Sequence, residues 1–218
     1  MTVFRWLPLV LLLAAPLAAQ SRFVGGYFGI STLSGDARTD VTSAGAKFSS
    51  YKPENGATAV AFGGRHLTDF ISVMGSYSWN RNAVLLAYGS TAPAQAYAQP
   101  YQATLHTGMG EAMLYFRNRQ SRVRPYLSTG MGIAHMVLNG DGAAVTPGLP
   151  VQPSAAITRT GPAFRFAVGI DLMMTKHAAF RYSFSETIQG NAMSEALTPP
   201  GQRKLANFQN WFGFAYFF

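Results

Sequence analysis

Five charged residues, Arg65, Glu111, Arg165, Asp171 and Arg181, stand inside stretches that otherwise alternate large apolar with small or polar side chains. On the polar face of such stretches they share one interior. An isolated buried charge is costly, so charges gathered in an interior must pair. Paired, they make a structural salt-bridge plug; the same set could also serve as a gated ion path or a catalytic pair. A hairpin centred on Lys176 pairs residues whose numbers sum to 352, which sets Asp171 directly opposite Arg181. A second hairpin, folded about Gln120, pairs numbers that sum to about 241 and sets His106 opposite His135 on one face. Imidazoles ligate metals, but a closed site needs further ligands. No acidic residue and no third histidine lies near these two in sequence. They read as histidines at a polar–apolar boundary, and no metal or cofactor is expected.

The elements that hold these residues alternate with period two, the pattern of strands. In 161–175, Phe164, Phe166, Val168, Ile170 and Leu172 face one way, while Arg165, Ala167, Gly169 and Asp171 face the other. In 70–80, Ile71, Val73, Gly75, Tyr77 and Trp79 oppose Ser72, Met74, Ser76, Ser78 and Asn80; in 178–188, Phe180, Tyr182 and Phe184 oppose Arg181, Ser183 and Ser185. Further strands are expected over 22–31, 57–67, 101–117, 123–138 and 206–218. The connections alternate in length. Those at 32–56, 81–100, 139–160 and 189–205 are long; those at 68–69, 118–122 and 176–177 are short. The long ones are rich in Gly, Pro, Ser and Ala, offer little apolar surface to bury, and are expected to be loosely packed. Within them, 83–89 could extend a strand or form a short helix. Alternate connections of an up-and-down barrel leave from the same end. The chain therefore reads as all-β, an eight-stranded antiparallel up-and-down barrel.

Alternation alone does not say which face is inside. A soluble barrel would hold its apolar face in; a barrel in lipid presents it outward. The composition favours the second. The chain is 48% hydrophobic and only 12% charged, against about a quarter charged in ordinary soluble domains. The segment 1–19 carries Arg5, an apolar run from Leu7 and small residues at Ala18 and Ala19. It reads as a signal peptide, to be excluded from the fold, with 20–218 as the barrel domain. After it, no apolar run approaches the roughly 20 residues of a spanning helix. The net charge of +8 becomes +7 without Arg5, from 16 Lys and Arg less 9 Asp and Glu. These cations are scattered singly and the chain is exported, so nucleic acid is excluded as a partner. Anionic lipopolysaccharide is the natural counterpart of basic rims. With no cysteine, no disulfide framework exists.

The last stretch, Phe208 to Phe218, places an aromatic ring at every second residue except Asn210. As a free edge it would invite aggregation; as the closing strand of a barrel in lipid it has no edge. Gly213, Tyr216 and Phe218 resemble the C-terminal assembly signal of bacterial outer-membrane barrels, although Trp211 stands where that signal prefers a polar residue. Residues 124–133, Arg-Pro-Tyr-Leu-Ser-Thr-Gly-Met-Gly-Ile, are similar to a strand of the same proteins. On these motifs the chain resembles the small eight-stranded outer-membrane barrels, the barrel domain of outer-membrane protein A and the opacity proteins.

The resemblance implies a bacterial outer-membrane location, the barrel assembly machinery as a partner, and a monomer. It implies a structural or surface-interaction role through extracellular loops; the alternative is a narrow channel for small or hydrophobic solutes. Some outer-membrane barrels are lipid A deacylases, which need a His-x-Ser with an orienting acid. The matching stretch here, residues 181–186, supplies Ser183, Ser185 and Glu186 but no histidine, and His177 is too far down the strand. No enzymatic activity is expected.

Overall fold

The computed structural model describes residues 22–34, 37–41, 47–90, 97–140, 156–192 and 204–218. The signal segment 1–19 and its cut lie outside the described residues. The elements are strands: β1 (Arg22–Leu33), β2 (Ala37–Val41), β3 (Lys47–Pro53), β4 (Asn55–His66), β5 (Ile71–Ser90), β6 (Tyr97–Tyr115), β7 (Val123–Gly140), β8 (Ile157–Met173), β9 (Ala178–Gly190) and β10 (Lys204–Phe217). Their order is β2-β3-β5-β4-β1-β10-β9-β8-β7-β6, and β6 pairs back onto β5. Eight antiparallel strands, β1 and β4 to β10, thus close a barrel in chain order. The seam between first and last strands is complete. β1 pairs β10 from Phe23↔Phe217 to Leu33↔Asn207, and Arg22 and Phe218 exchange backbone hydrogen bonds of 3.0 and 2.9 Å.

The short connections are fixed by their own side chains. Thr68 Oγ1 accepts from the amide of Ile71 at 2.9 Å, and Thr175 Oγ1 accepts from the amide of Ala178 at 3.0 Å. In each the hydroxyl takes the place of a backbone acceptor in a tight turn. The turns after β4, β6 and β8 lie at the end of the barrel that holds Arg22 and Phe218.

Two stretches expected to be loose are strand. The expected loop 32–56 contains β2 and β3, and β3 pairs β5 from Lys47↔Ser90 to Pro53↔Val84. The expected loop 81–100 is mostly a continuation of β5 and β6, paired as far as Tyr88↔Tyr97. The segment 83–89 is therefore a strand extension. Its Val84, Leu85, Leu86 and Tyr88 are apolar types a strand accepts, and pairing with β6 and β3 decides the conformation. Pro100 pairs Leu85 of β5 and lies just above the point where, among the described residues, the pairing of β6 with β7 begins at Tyr101↔Gly140. β5 runs for 20 residues and β6 for 19. At about 3.3 Å per residue, even tilted strands of that length pass well beyond an apolar band about 25 Å tall. They rise above it with β2 and β3 as a small sheet.

The two faces are sharply divided. Outward, Phe28 is 74%, Met131 68% and Ile133 62% exposed, with Phe164, Phe166, Val168, Phe212, Phe214 and Tyr216 beside them. Tyr77, Trp79 and Tyr182 share this face. Inward, Glu111, Arg165, Asp171 and Arg181 are buried with a lining of Ser, Thr, Asn and Gln. A water-soluble barrel has the reverse distribution. Glycines on the inner face make room for rings: a Cβ on Gly25 would meet Phe62, one on Gly64 would meet Phe23, and one on Gly169 would meet Tyr126. Each ring covers backbone left bare by its glycine, a device that pins register.

Candidate functional site

The site is the lumen, where side chains from all eight barrel strands converge. β8 and β9 supply the lower charge cluster. Asp171 and Arg181 are register partners, and both are fully buried. Arg181 grips the carboxylate at two points, Nε to Oδ1 at 2.5 Å and Nη2 to Oδ2 at 2.6 Å. Arg181 Nη2 also donates to the Tyr115 hydroxyl at 2.8 Å, and that hydroxyl donates to Asp171 Oδ2 at 3.0 Å. The guanidinium is walled by the rings of Phe62, Phe23 and Tyr126, at 5.0, 5.2 and 5.5 Å from their centroids. Such contacts suit a planar, weakly hydrated cation.

The upper cluster is centred on β6 and β8. Arg165 Nη1 meets Glu111 Oε1 at 3.1 Å, also away from solvent. Its remaining donors go to Ser76 at 3.1 Å, Ser78 at 3.3 Å and Thr187 at 3.0 Å. Glu111 accepts from Ser76 at 2.6 Å and Ser128 at 3.3 Å. Trp211 from β10 stands 4.8 Å beneath the Arg165 guanidinium. Above lies an amide layer: Ser31 donates to Asn207 at 2.7 Å, Thr58 to Asn80 at 2.5 Å, and Gln209 Nε2 to Asn80 at 3.3 Å.

Of the five charges expected inside, the structure gathers four in two pairs. Arg65 is not among them. On β4 the buried positions are Thr58, Val60, Phe62 and His66, so Arg65 belongs to the opposite face, beside Arg22 on β1 and Val73 on β5. Phe62 is the reason, because its ring fills the interior over Gly25 and sets the parity of the strand. A third lumen arginine, Arg124, was missed. It is 1% exposed, pairs Asp171 in register and lies 4.0 Å over the Tyr115 ring. Its signal was available: Arg124, Tyr126 and Ser128 alternate with Pro125, Leu127 and Thr129.

The stretch 181–186 cannot act as a nucleophile–acid set, because Ser183 and Ser185 are buried on the inner face while Glu186 alternates outward. Gly213 faces inward at the seam, whereas Tyr216 and Phe218 face out at 53% and 50% exposure.

A buried polar lumen inside a closed, apolar-faced barrel limits the possible relatives to membrane barrels. The chain matches the model of the outer membrane protein beta-barrel domain over residues 7–215. It belongs to that family. The location is accordingly the bacterial outer membrane. Among solved structures, this outer-membrane barrel is similar to Neisserial surface protein A, at 12% identity and a TM-score of 0.55, covering 93% of this chain and 100% of that one. It is also similar to the outer membrane protein OprG of Pseudomonas aeruginosa, at 12% identity and a TM-score of 0.53, covering 92% and 96%. At these identities the likeness concerns the fold. No curated protein matches it in sequence.

Proposed function

We propose that this barrel is a non-enzymatic outer-membrane protein acting as a structural and surface-interaction element, with its lumen closed. The observation that supports this most is the pair of buried ion pairs, Arg165–Glu111 and Arg181–Asp171, stacked across a narrow interior with Tyr115, Tyr126, Phe62 and Trp211. An eight-stranded barrel is just wide enough for side chains to fill it, and the side chains of both pairs are buried, which supports a closed lumen. Interaction then falls to the outer surface: the sheet formed by β2, β3 and the upper parts of β5 and β6. Lipid and lipopolysaccharide are the partners we assign to the apolar wall and basic rims, the assembly machinery to the closing strand, and a monomer to the closed seam. The assignment of 1–19 as a signal peptide belongs to the same reading.

A second reading has one observation in its favour. At the outer end the lining changes from amides to an apolar cluster of Leu33, Val84, Leu105, Met136, Leu138 and Leu205. Beside it, β8 pairs β9 only from Ala163↔Gln189 downward, while its residues 157–162 pair β7 alone among the described residues. An apolar cluster next to a one-sided strand end suits contact with a small hydrophobic solute. Planar-bilayer recording of refolded protein decides between these readings. A closed plug gives no steady conductance, and Glu111→Ala, which strips the counter-charge from Arg165, gives transient openings. A stable ohmic pore in the unaltered protein would overturn the closed-lumen reading.

A further inference from the structure

His106 and His135 are direct register partners on β6 and β7. Both alternate outward, away from the plug, and both lie level with Trp79. An interfacial tryptophan marks the headgroup zone of a membrane protein, so the two rings stand where hydrated ions reach them. Their orientation is set by neighbours on either flank. His106 Nδ1 hydrogen-bonds the Tyr77 hydroxyl on β5 at 2.6 Å, and His135 Nδ1 hydrogen-bonds Thr160 Oγ1 on β8 at 2.6 Å. The hydroxyls lie on opposite sides of the pair, so each Nδ1 edge is turned away from the other ring. Neither Nε2 has a partner among the described residues.

We propose that His106 and His135 form a two-imidazole site for a divalent transition-metal ion on the outer wall of the barrel. Directly opposed residues of an antiparallel pair have Cβ atoms about 4.5–5.5 Å apart, a separation that one ion can bridge with metal–nitrogen bonds of about 2.0–2.1 Å. The hydroxyls at Nδ1 supply what ligating histidines usually have: an oxygen partner on the second nitrogen that fixes ring and tautomer and leaves the Nε2 lone pair for the metal. Imidazole selects copper, zinc and nickel over magnesium and calcium. No group of three potential ligands occurs among the described residues. The remaining coordination positions are therefore filled by water, and the ion is exchangeable rather than structural. The chain has four histidines. Of the other two, His66 is buried with Nδ1 on Ser72, and His177 lies at the opposite end of the barrel, so neither can replace a lost partner.

The test uses untagged protein refolded in detergent and titrated with Cu²⁺ or Zn²⁺ by calorimetry, with Cu²⁺ paramagnetic resonance as a second readout. The expected result is one ion per chain and a copper spectrum showing two nitrogen ligands. His106→Asn and His135→Asn should each weaken binding by more than about tenfold, through loss of the chelate. Y77F combined with T160V should weaken it by about tenfold, through loss of the orienting hydroxyls. His177→Asn should leave it unchanged. The heat-dependent gel shift of folded barrels confirms that every variant is folded. Equal binding by the unaltered protein and the His106→Asn variant, or no binding at tens of micromolar copper, would overturn the site.

Discussion

Replacing Asp171 by alanine is expected to destabilise the folded barrel by about 3–5 kcal/mol, the usual consequence of leaving one member of a buried ion pair alone. The carboxylate accepts two bonds from Arg181 and one from Tyr115 in a pocket without solvent. Its removal leaves a guanidinium among Phe23, Phe62 and Tyr126, with Arg124 close by on the same side of the lumen. The double variant Asp171→Leu with Arg181→Met removes both charges and is expected to recover most of that loss, because an apolar pair of similar volume needs no desolvation of ions. Urea unfolding in lipid, followed by the mobility shift of folded barrel, measures both. A loss under about 1 kcal/mol for Asp171→Ala would show that water reaches the cluster.

The closing strand carries the second large effect. A Cβ on Gly213 would lie 1.9 Å from the Gly26 carbonyl oxygen and 2.8 Å from Tyr27 Cα. Both are backbone atoms of β1 and cannot move aside without opening the seam. Gly213→Ala is therefore expected to cost more than the roughly 1–3 kcal/mol of ordinary overpacking, and to lower the yield of inserted protein. Gly108→Ala is the control: nothing stands within 4 Å of its added Cβ, and the change should stay within about 0.5 kcal/mol. Deleting Phe218 should separate assembly from stability. It removes an outward ring and one pair of seam bonds, so refolding in detergent should persist while insertion in cells falls. Equal insertion with and without Phe218 would deny it a role in assembly.

Most of the barrel was legible because membrane strands are written in period two. Phe164 to Leu172 and Arg165 to Asp171 leave only one assignment of faces once the wall is known to meet lipid. The register of the β8–β9 hairpin followed from the turn at Lys176, since a tight turn fixes which residues oppose. Where alternation was weak, the reading failed. The run of Ala57 to Arg65 has small residues on both faces, so Arg65 looked as much a lumen residue as its neighbours, and only the packing of Phe62 over Gly25 sets its side. Arg124 stood inside the expected strand 123–138, but its alternation with Pro125 was not followed to the lumen; β7 carries Pro125 paired to Ile170. The extensions of β5 and β6 fell inside an expected loop, with 83–89 open to strand or helix, because a short apolar run such as Val84 to Tyr88 fits either. Pairing with each other and with β3 makes them strand. The orientation of the two histidines was not legible at all, since Tyr77 and Thr160 reach them from strands far apart in sequence.

The measurement that bears most directly on a lipid-facing barrel with a filled, polar interior uses the methionines already in the chain. Methyl-labelled protein in lipid nanodiscs reports, through cross-relaxation over about 5 Å, which methyl groups touch acyl chains. Met131 is 68% exposed on the wall, whereas Met113, Met136 and Met74 are 1%, 2% and 7% exposed inside. Acyl-chain cross-peaks from Met131, and none from Met113, Met136 or Met74, are the predicted result. Cross-peaks from Met113 and Met136 with none from Met131 would mean that the faces are reversed, and the membrane barrel described above would be wrong.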